Sequence, residues 1–316
     1  MNVFRGPTQF SVGPACALTI GNFDGVHRGH RALLQELVGG AKERGLDSCV
    51  ITFEPHPKEF FLPEQAPARI FNLRDKLAAL AEIGIDRVVV EHFNSAFAKL
   101  SPEEFVSEIF VKKLNAKWIL IGDDFCYGAK RAGNFSNLKA AGEKYGFEVS
   151  SLQTIEENGT RISSSALRAA LASGDMKQTE KLLGRPYGIS GHVIHGQQLG
   201  RKLGFPTLNL AVANHLHHRK PATTGIFTAQ VLGLADKPLQ AVASLGVRPT
   251  VEDEGRVLLE MHIFDFNSDV YGKIITVELL EKIRDEAKYP DLETLTKAIA
   301  ADAAHARNYF QKKTYV

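Results

Sequence analysis

The sequence predicts an α/β chain in two parts. The first is a Rossmann-like parallel sheet with helices on both faces, and the second is a small antiparallel β-barrel followed by a terminal helix. Three observations carry that expectation. Apolar strand-like runs alternate with helical periods through the first half, short alternating segments separated by Gly, Pro and Asn fill the second, and "GRPYGISGHV" concentrates Gly and Pro between them. The boundary is expected near Arg185, dividing the chain into residues 1–184 and 185–316.

The first predicted strand is "ACALTI". A helix follows, with Leu33, Leu34, Leu37, Val38 and Ala41 on one face, and then the strand "SCVITF". The rhythm continues through the helix "LRDKLAALAEIG", the strand "RVVVEHF", the helix "SPEEFVSEIFVKKL" and the strand "KWILIGDDF", where Ser101, Pro102 and Glu104 make a helix start. Helices "SSSALRAALASGD" and "MKQTEKLLG" complete the first part. The barrel strands are read as "GHVIHG", "GIFTAQVLG", "LQAVASLGV", "RVLLEMHIFDF" and "KIITVELLEKIR". Leu292, Leu295, Ile299 and Ala303 recur at helical spacing in the tail, which is predicted to pack as one amphipathic helix.

Composition narrows the function. The 316 residues are 44% hydrophobic and 23% charged, ordinary for a globular chain long enough for two cores. Thirty-eight basic residues against 36 acidic ones give +2, too balanced for affinity built on a nucleic-acid backbone, so small-molecule partners are expected. Cys16, Cys49 and Cys126 are far apart and form no CxxC pair; a reducing, cytoplasmic location fits them best. Neither a secretory h-region nor an apolar run of about 18 residues is present, so export by that route and membrane spanning are not expected.

Two stretches carry chemistry. In "GNFDGVHRGH", His27 and His30 lie three apart on the first turn of a helix beginning near Arg28, so both rings share a face. Unpaired N–H groups at a helix start favour an anion, and two imidazoles add donors for phosphate oxygens. A satisfied surface or core pair, or a metal pair, are the other readings, although no further His or Cys stands nearby at ligand spacing.

In "GHVIHGQQLGRKLGFPTLNL", Thr207 and Asn209 alternate on an extended segment and share a face, where a hydroxyl and an amide oxygen can ligate Mg²⁺; a glycine-rich hairpin with polar residues facing water is the alternative. No GxxxxGK[ST] occurs, so phosphoryl transfer here needs a scaffold other than the P-loop. On the strand "LLEMHIF", Glu260 falls on the polar face, where a solvated strand carboxylate is the plainer reading and a general base the other.

"GNFDGVHRGH" resembles the HxGH signature of nucleotidyltransferases, in the form seen in the prokaryotic bifunctional riboflavin kinase/FAD synthetase family. "FEPHP", "IGDDFCYGAKRAG" and "RISSSALR" fall in that family's order. The resemblance implies that Gly21, Phe23, Asp24, Gly25, His27 and His30 bind ATP together with Arg161, Ser163, Ser164 and Arg168, and that Phe53, Pro55, Asp124 and Phe125 meet the flavin. Helix capping alone would explain the serines but not the arginines, whose guanidinium groups suit an anion. The Asp123–Asp124 pair could bind Mg²⁺, act in the substrate pocket or cap a turn, and Tyr127 stands where the family usually has Phe.

In the second half, "GRKLGFPTLN" is similar to the family's kinase signature GRxLGFPTAN, with Leu208 for Ala, and "TGIFTAQV", "SLGVRPTV" and "IRDEAKYPDLETL" are similar to later segments. This implies an ATP site at Gly191, Gly196, Gly204, Thr207 and Asn209, with Thr207 and Asn209 holding the metal, Glu260 as base and flavin contact, and Arg284 closing over phosphate or flavin. The implied activity is phosphorylation of riboflavin to FMN and adenylylation of FMN to FAD, each with ATP and Mg²⁺. Two alternatives stay open: an adenylyltransferase for another vitamin phosphate, and a flavin-binding regulator without turnover. Self-association is undecided by the sequence.

Overall fold

The computed structural model of the protein describes residues 1–6, 13–153, 156–157, 160–196, 200, 203–212, 221–247 and 257–314, leaving out the side chains of 156–157, 160–161 and 314. The chain divides into two compact units, Met1–Pro67 with Lys76–Ser163, and Ala68–Asp75 with Ser164–Val316.

The first unit is built on six parallel strands: β1 (Asn2–Arg5), β2 (Cys16–Ile20), β3 (Asp47–Glu54), β4 (Arg87–His92), β5 (Ala116–Gly122) and β6 (Glu148–Leu152), in the order β1-β4-β3-β2-β5-β6. Helix α1 (Arg28–Glu43) buries Leu34, Leu37, Gly40 and Ala41, the apolar stripe its sequence predicts, and each leucine contributes about 1.5–3 kcal/mol. Gly40 is required there, because a Cβ would collide with the Trp118 ring. Between the strands lie α2 (Pro57–Phe61), α3 (Leu73–Ile83, shared with the second unit), α4 (Ser95–Ala98) and α5 (Pro102–Glu104), followed after β5 by α6 (Phe135–Tyr145). Ser101 and Glu104 form a full capping box with Pro102 in the first turn, after which Phe105–Lys113 winds as a π-helix. Strands β7 (Glu156–Glu157) and β8 (Thr160–Arg161) form a short antiparallel pair.

Strand order reverses between β2 and β5. Their carboxyl ends therefore flank the crevice where open α/β sheets bind ligands. The "GNFDGVH" turn leaves β2 there, and "GDDF" leaves β5 beside it.

The second unit contains α7 (Ser164–Ser173), α8 (Met176–Leu183) and a closed barrel of β9 (Tyr187–Ile194), β10 (Leu208–Ala211), β11 (Gly225–Leu232), β12 (Leu239–Val247), β13 (Val257–Ile263) and β14 (Ile274–Arg284), in the order β10-β13-β12-β11-β14-β9. Leu259, Met261, Ala243, Leu245, Phe227 and Val277 fill its interior, so the barrel is a packed core and its chemistry lies outside. Helix α9 (Leu292–Thr314) packs Ala303, Ala306 and Phe310 against Val242 and Phe264. Leu292, expected on that face, is 57% exposed, because the packed stripe begins further along the helix.

A strap from the amino-terminal half, Ala68–Asp75, belongs to this second unit. Tyr187 Oη donates to Ile70 O at 2.9 Å, Asn72 Nδ2 donates to Ser190 O at 3.3 Å, and Ser190 N donates to Asp75 Oδ1 at 3.1 Å. Burial pushes the Asp75 carboxyl up to about 6, against the opposing pull of the Ser190 hydrogen bonds.

Candidate active sites

The turn from β2 into α1 is set by its backbone. Phe23 (φ 46°) and Val26 (φ 39°) hold left-handed conformations beside Gly25 (φ 85°), and both side chains are buried. Non-glycine residues adopt this region only when their surroundings over-determine it, a condition that concentrates at functional sites. His27 is the N-cap of α1, its Nδ1 accepting from His30 N at 3.3 Å. With Nδ1 accepting, the proton of a neutral ring is carried on Nε2. The His27 and His30 rings stack with centroids 3.6 Å apart, and Phe23 meets His30 edge-on at 5.2 Å. Gly29 lies between the His27 ring and Ile162 O, where a Cβ would sit 3.3 Å from each, which accounts for the glycine in HxGH. Gly21 packs under the Phe23 ring, and Asp24 is buried in the same turn. The side-chain oxygen of Asn22 is buried with no donor among the described residues, an acceptor that a bound ligand can satisfy.

The residues expected at the flavin surround an aromatic cluster. Phe53, on β3, meets Phe93 at 5.6 Å and Phe97 at 5.7 Å, and Pro55 follows it by two residues. Gly122–Phe125 is a turn closed by Phe125 N to Gly122 O at 3.2 Å, with Asp123 and Asp124 exposed at its corners. Phe125 stacks on Tyr127 at 5.6 Å, and Tyr127 is buried against Phe105, so it backs the Phe125 ring rather than lining open space. His56, within "FEPHP", caps α2 in a box with Glu59.

Ser163 closes the first unit; Ser164 opens α7, and Arg168 Nε donates to Ala68 O at 2.8 Å in the second. The side chain of Arg161 lies outside the described residues.

On the barrel, antiparallel register sets Asn209 opposite Glu260 and Glu260 opposite Ser244, so three polar side chains form a row on the outer face of β10, β13 and β12. Ser244, which the sequence reading passed over, could have been found only from the strand register. Asn209 is 4% exposed, and no donor among the described residues reaches its Oδ1. An orphaned, buried amide oxygen is what a cation ligand leaves when the cation is removed, so Asn209 and its face-mate Thr207 fit the Mg²⁺ role read from the sequence. Among the described residues there is no group of three His, Cys, Asp or Glu that could hold a metal ion.

Gly196 abuts the Asn209 amide so closely that a Cβ would displace it. Gly204 (φ 84°) supplies the turn before Phe205, whereas Gly191 is buried in the barrel wall and serves the approach of β9 to the Ala211 carbonyl. His262 Nδ1 lies 2.8 Å from Pro206 O and anchors the segment before Thr207. Arg284, expected over phosphate or flavin, forks onto Asp302 at 2.9 and 2.6 Å, and Glu286 lies over Gly246 beside Ser244. Burial, and to a lesser degree the charge of Glu260, raise the Glu286 carboxyl above the usual range. Residues 197–199, 201–202 and 248–256, which include much of "GQQLGRK" and "RPTV", lie outside the described residues.

These two sites coincide with two family matches. The FAD synthetase family matches residues 11–166 and the riboflavin kinase family residues 183–310. The chain is 46% identical over 312 residues to the bifunctional riboflavin kinase/FMN adenylyltransferase of Escherichia coli strain K12, covering 98% of each, and 46% identical over 292 residues to that of Pseudomonas fluorescens, covering 92% of each. A crystal structure from Streptococcus pneumoniae, described as a macrolide-efflux protein, is similar with TM-score 0.80 and 29% identity, covering 98% of this chain and 99% of that one. Among the described residues no helix is long and apolar enough to cross a membrane.

Proposed function

The chain belongs to the bifunctional riboflavin kinase/FMN adenylyltransferase family, and from that premise we propose how its residues divide the two reactions it catalyses. It phosphorylates riboflavin to FMN and adenylylates FMN to FAD, with ATP as the donor in both. Residues 1–184 are assigned to adenylyl transfer and 185–316 to phosphorylation, in a cytoplasmic enzyme.

In adenylyl transfer an FMN phosphate oxygen attacks the α-phosphorus of ATP, forming the new P–O bond as the bond to pyrophosphate breaks. Nothing covalent is required of the protein, so positioning and charge stabilisation carry the rate. The observation that supports His27 and His30 in this role is their stacked pair at the start of α1, at the sheet's switch point. Gly21, Phe23, Asp24 and Gly25 shape the turn, Ser163 adds a hydroxyl, and Phe53, Pro55, Asp124 and Phe125 receive the flavin. Arg161, Ser164 and Arg168 keep their sequence assignment to phosphate.

In phosphorylation Glu260 accepts the proton of the ribityl terminal hydroxyl as that oxygen attacks the γ-phosphorus and ADP leaves. Thr207 and Asn209 are assigned to Mg²⁺, which when bound draws charge from the phosphate oxygens. Gly196 and Gly204 shape the nucleotide side of the row.

The test is chromatography of products from riboflavin, ATP and Mg²⁺. Loss of FMN with Glu260→Ala, and loss of FAD alone with His27→Ala, are expected. Full FAD formation by His27→Ala and His30→Ala would overturn the assignment.

A further inference from the structure

A buried ammonium stands behind the adenylyl-transfer turn. Lys76, on α3, is 5% exposed, and its Nζ donates to Thr52 Oγ1 at 3.1 Å. Thr52 is fully buried on β3, and its hydroxyl donates in turn to Asn22 O at 3.1 Å. The direction of this chain is fixed by chemistry: an ammonium only donates, so the single hydroxyl proton of Thr52 is left for the Asn22 carbonyl. The location is as specific. Pairing of β2 with β3 continues to Gly21 N and Ile51 O at 3.0 Å, and one residue further on Asn22 O accepts from the Thr52 side chain. Phe23, Gly25 and Val26 then turn left-handed and deliver His27 to the helix start.

Taking an ammonium out of water is costly even when it is partnered, and an alkyl side chain of similar volume would fill the same space more cheaply. We propose that Lys76 is a positioning residue for adenylyl transfer, holding the Asn22 carbonyl through the Thr52 hydroxyl and thereby the turn that presents His27. The inference rests on the assignment of that turn to FAD formation. Lys76 acts through Thr52: loss of Thr52 removes the donor to the Asn22 carbonyl, and loss of Lys76 removes the ammonium that orients that hydroxyl toward it.

The experiment measures steady-state FAD formation from FMN and ATP, and riboflavin phosphorylation in the same samples, for Lys76→Met, Thr52→Val, their double variant, Thr52→Ser and His27→Ala. Each single break is expected to lower kcat for FAD formation about tenfold with little change in KM for FMN, a loss in keeping with misplacement of a reacting group. The double variant should lose no more than the worse single one, Thr52→Ser should retain activity, and riboflavin phosphorylation should be unchanged throughout. Independent multiplication of the two losses, a parallel fall in phosphorylation, or full FAD formation by Lys76→Met while His27→Ala is inactive would each overturn the relay. Full activity of His27→Ala would instead remove the assignment beneath it. Should Lys76→Met fail to fold, the contrast between Thr52→Val and Thr52→Ser decides, with equal activities counting against the relay.

Discussion

His27 holds its helix and is assigned to the reaction at once, and the two roles can be separated because they use different ring nitrogens. Nδ1 accepts the His30 amide, while Nε2 is the nitrogen assigned to phosphate. Asparagine caps helices well, so His27→Asn is expected to keep the thermal midpoint of the protein while FAD formation falls by about 10²–10³. His27→Ala should lose the same activity and about 1 kcal/mol of stability besides, read by denaturant titration. In the barrel, Glu260→Gln should lower FMN formation by about 10²–10⁴ and leave FAD formation from supplied FMN untouched. Asn209 offers a sharper test, since its orphaned oxygen is a cost to the fold. Asn209→Leu is expected to be at least as stable as the parent chain but to require far more Mg²⁺ for half-maximal phosphorylation; an unchanged Mg²⁺ dependence would contradict the ligand role.

At the scale of elements, what could be read from sequence was what one segment decides alone. The apolar stripe of α1, the Ser101–Pro102 start, the strands from "CALTI" to "LQAVASLGV" and the change of period near Arg185 all have local causes. Four features did not. Strand β1 has four residues and no alternation to detect, and it exists only because β4 offers an edge. Ser244 enters the row beside Glu260 through a register that no single strand encodes. The fork by which Arg284 holds Asp302, 18 residues away in α9, is written in neither segment alone. The strap Ala68–Asp75 sits in the first half of the sequence and folds with the second.

Its carboxylate gives the strap a pH signature. The Asp75 pKa is raised by burial from 3.8 to about 6, so between those values the folded chain holds the proton more tightly than the unfolded one. Stability is therefore expected to fall as pH rises from about 4 to about 6, and to stay lower above that. Asp75→Asn should exceed the parent chain at pH 7 by up to about 3 kcal/mol, with the difference vanishing below about pH 4. Denaturant titrations across this range check it, and a difference independent of pH would assign the strap's effect to hydrogen bonding alone.

For the whole molecule, the strap makes the sequence boundary and the structural boundary different objects. A chain cut before Tyr187 keeps every residue assigned to phosphorylation, yet it loses Ala68–Asp75 and the helices α7 and α8, which the structure groups with the barrel. The Tyr187 hydroxyl then loses the Ile70 carbonyl, and its ring loses Phe71, stacked on it at 6.4 Å. A buried hydroxyl left without its acceptor costs about 1–3 kcal/mol, before the lost apolar contacts are counted. The fragment 185–316 is therefore expected to phosphorylate riboflavin at low temperature but to melt roughly 10 °C below the barrel transition of the full chain. Fragment 164–316, which restores α7 and α8 but not the strap, should fall between them. Calorimetry of the three proteins orders them; equal midpoints for the two fragments and the full chain would mean that the barrel stabilises itself and that the strap merely rests on it.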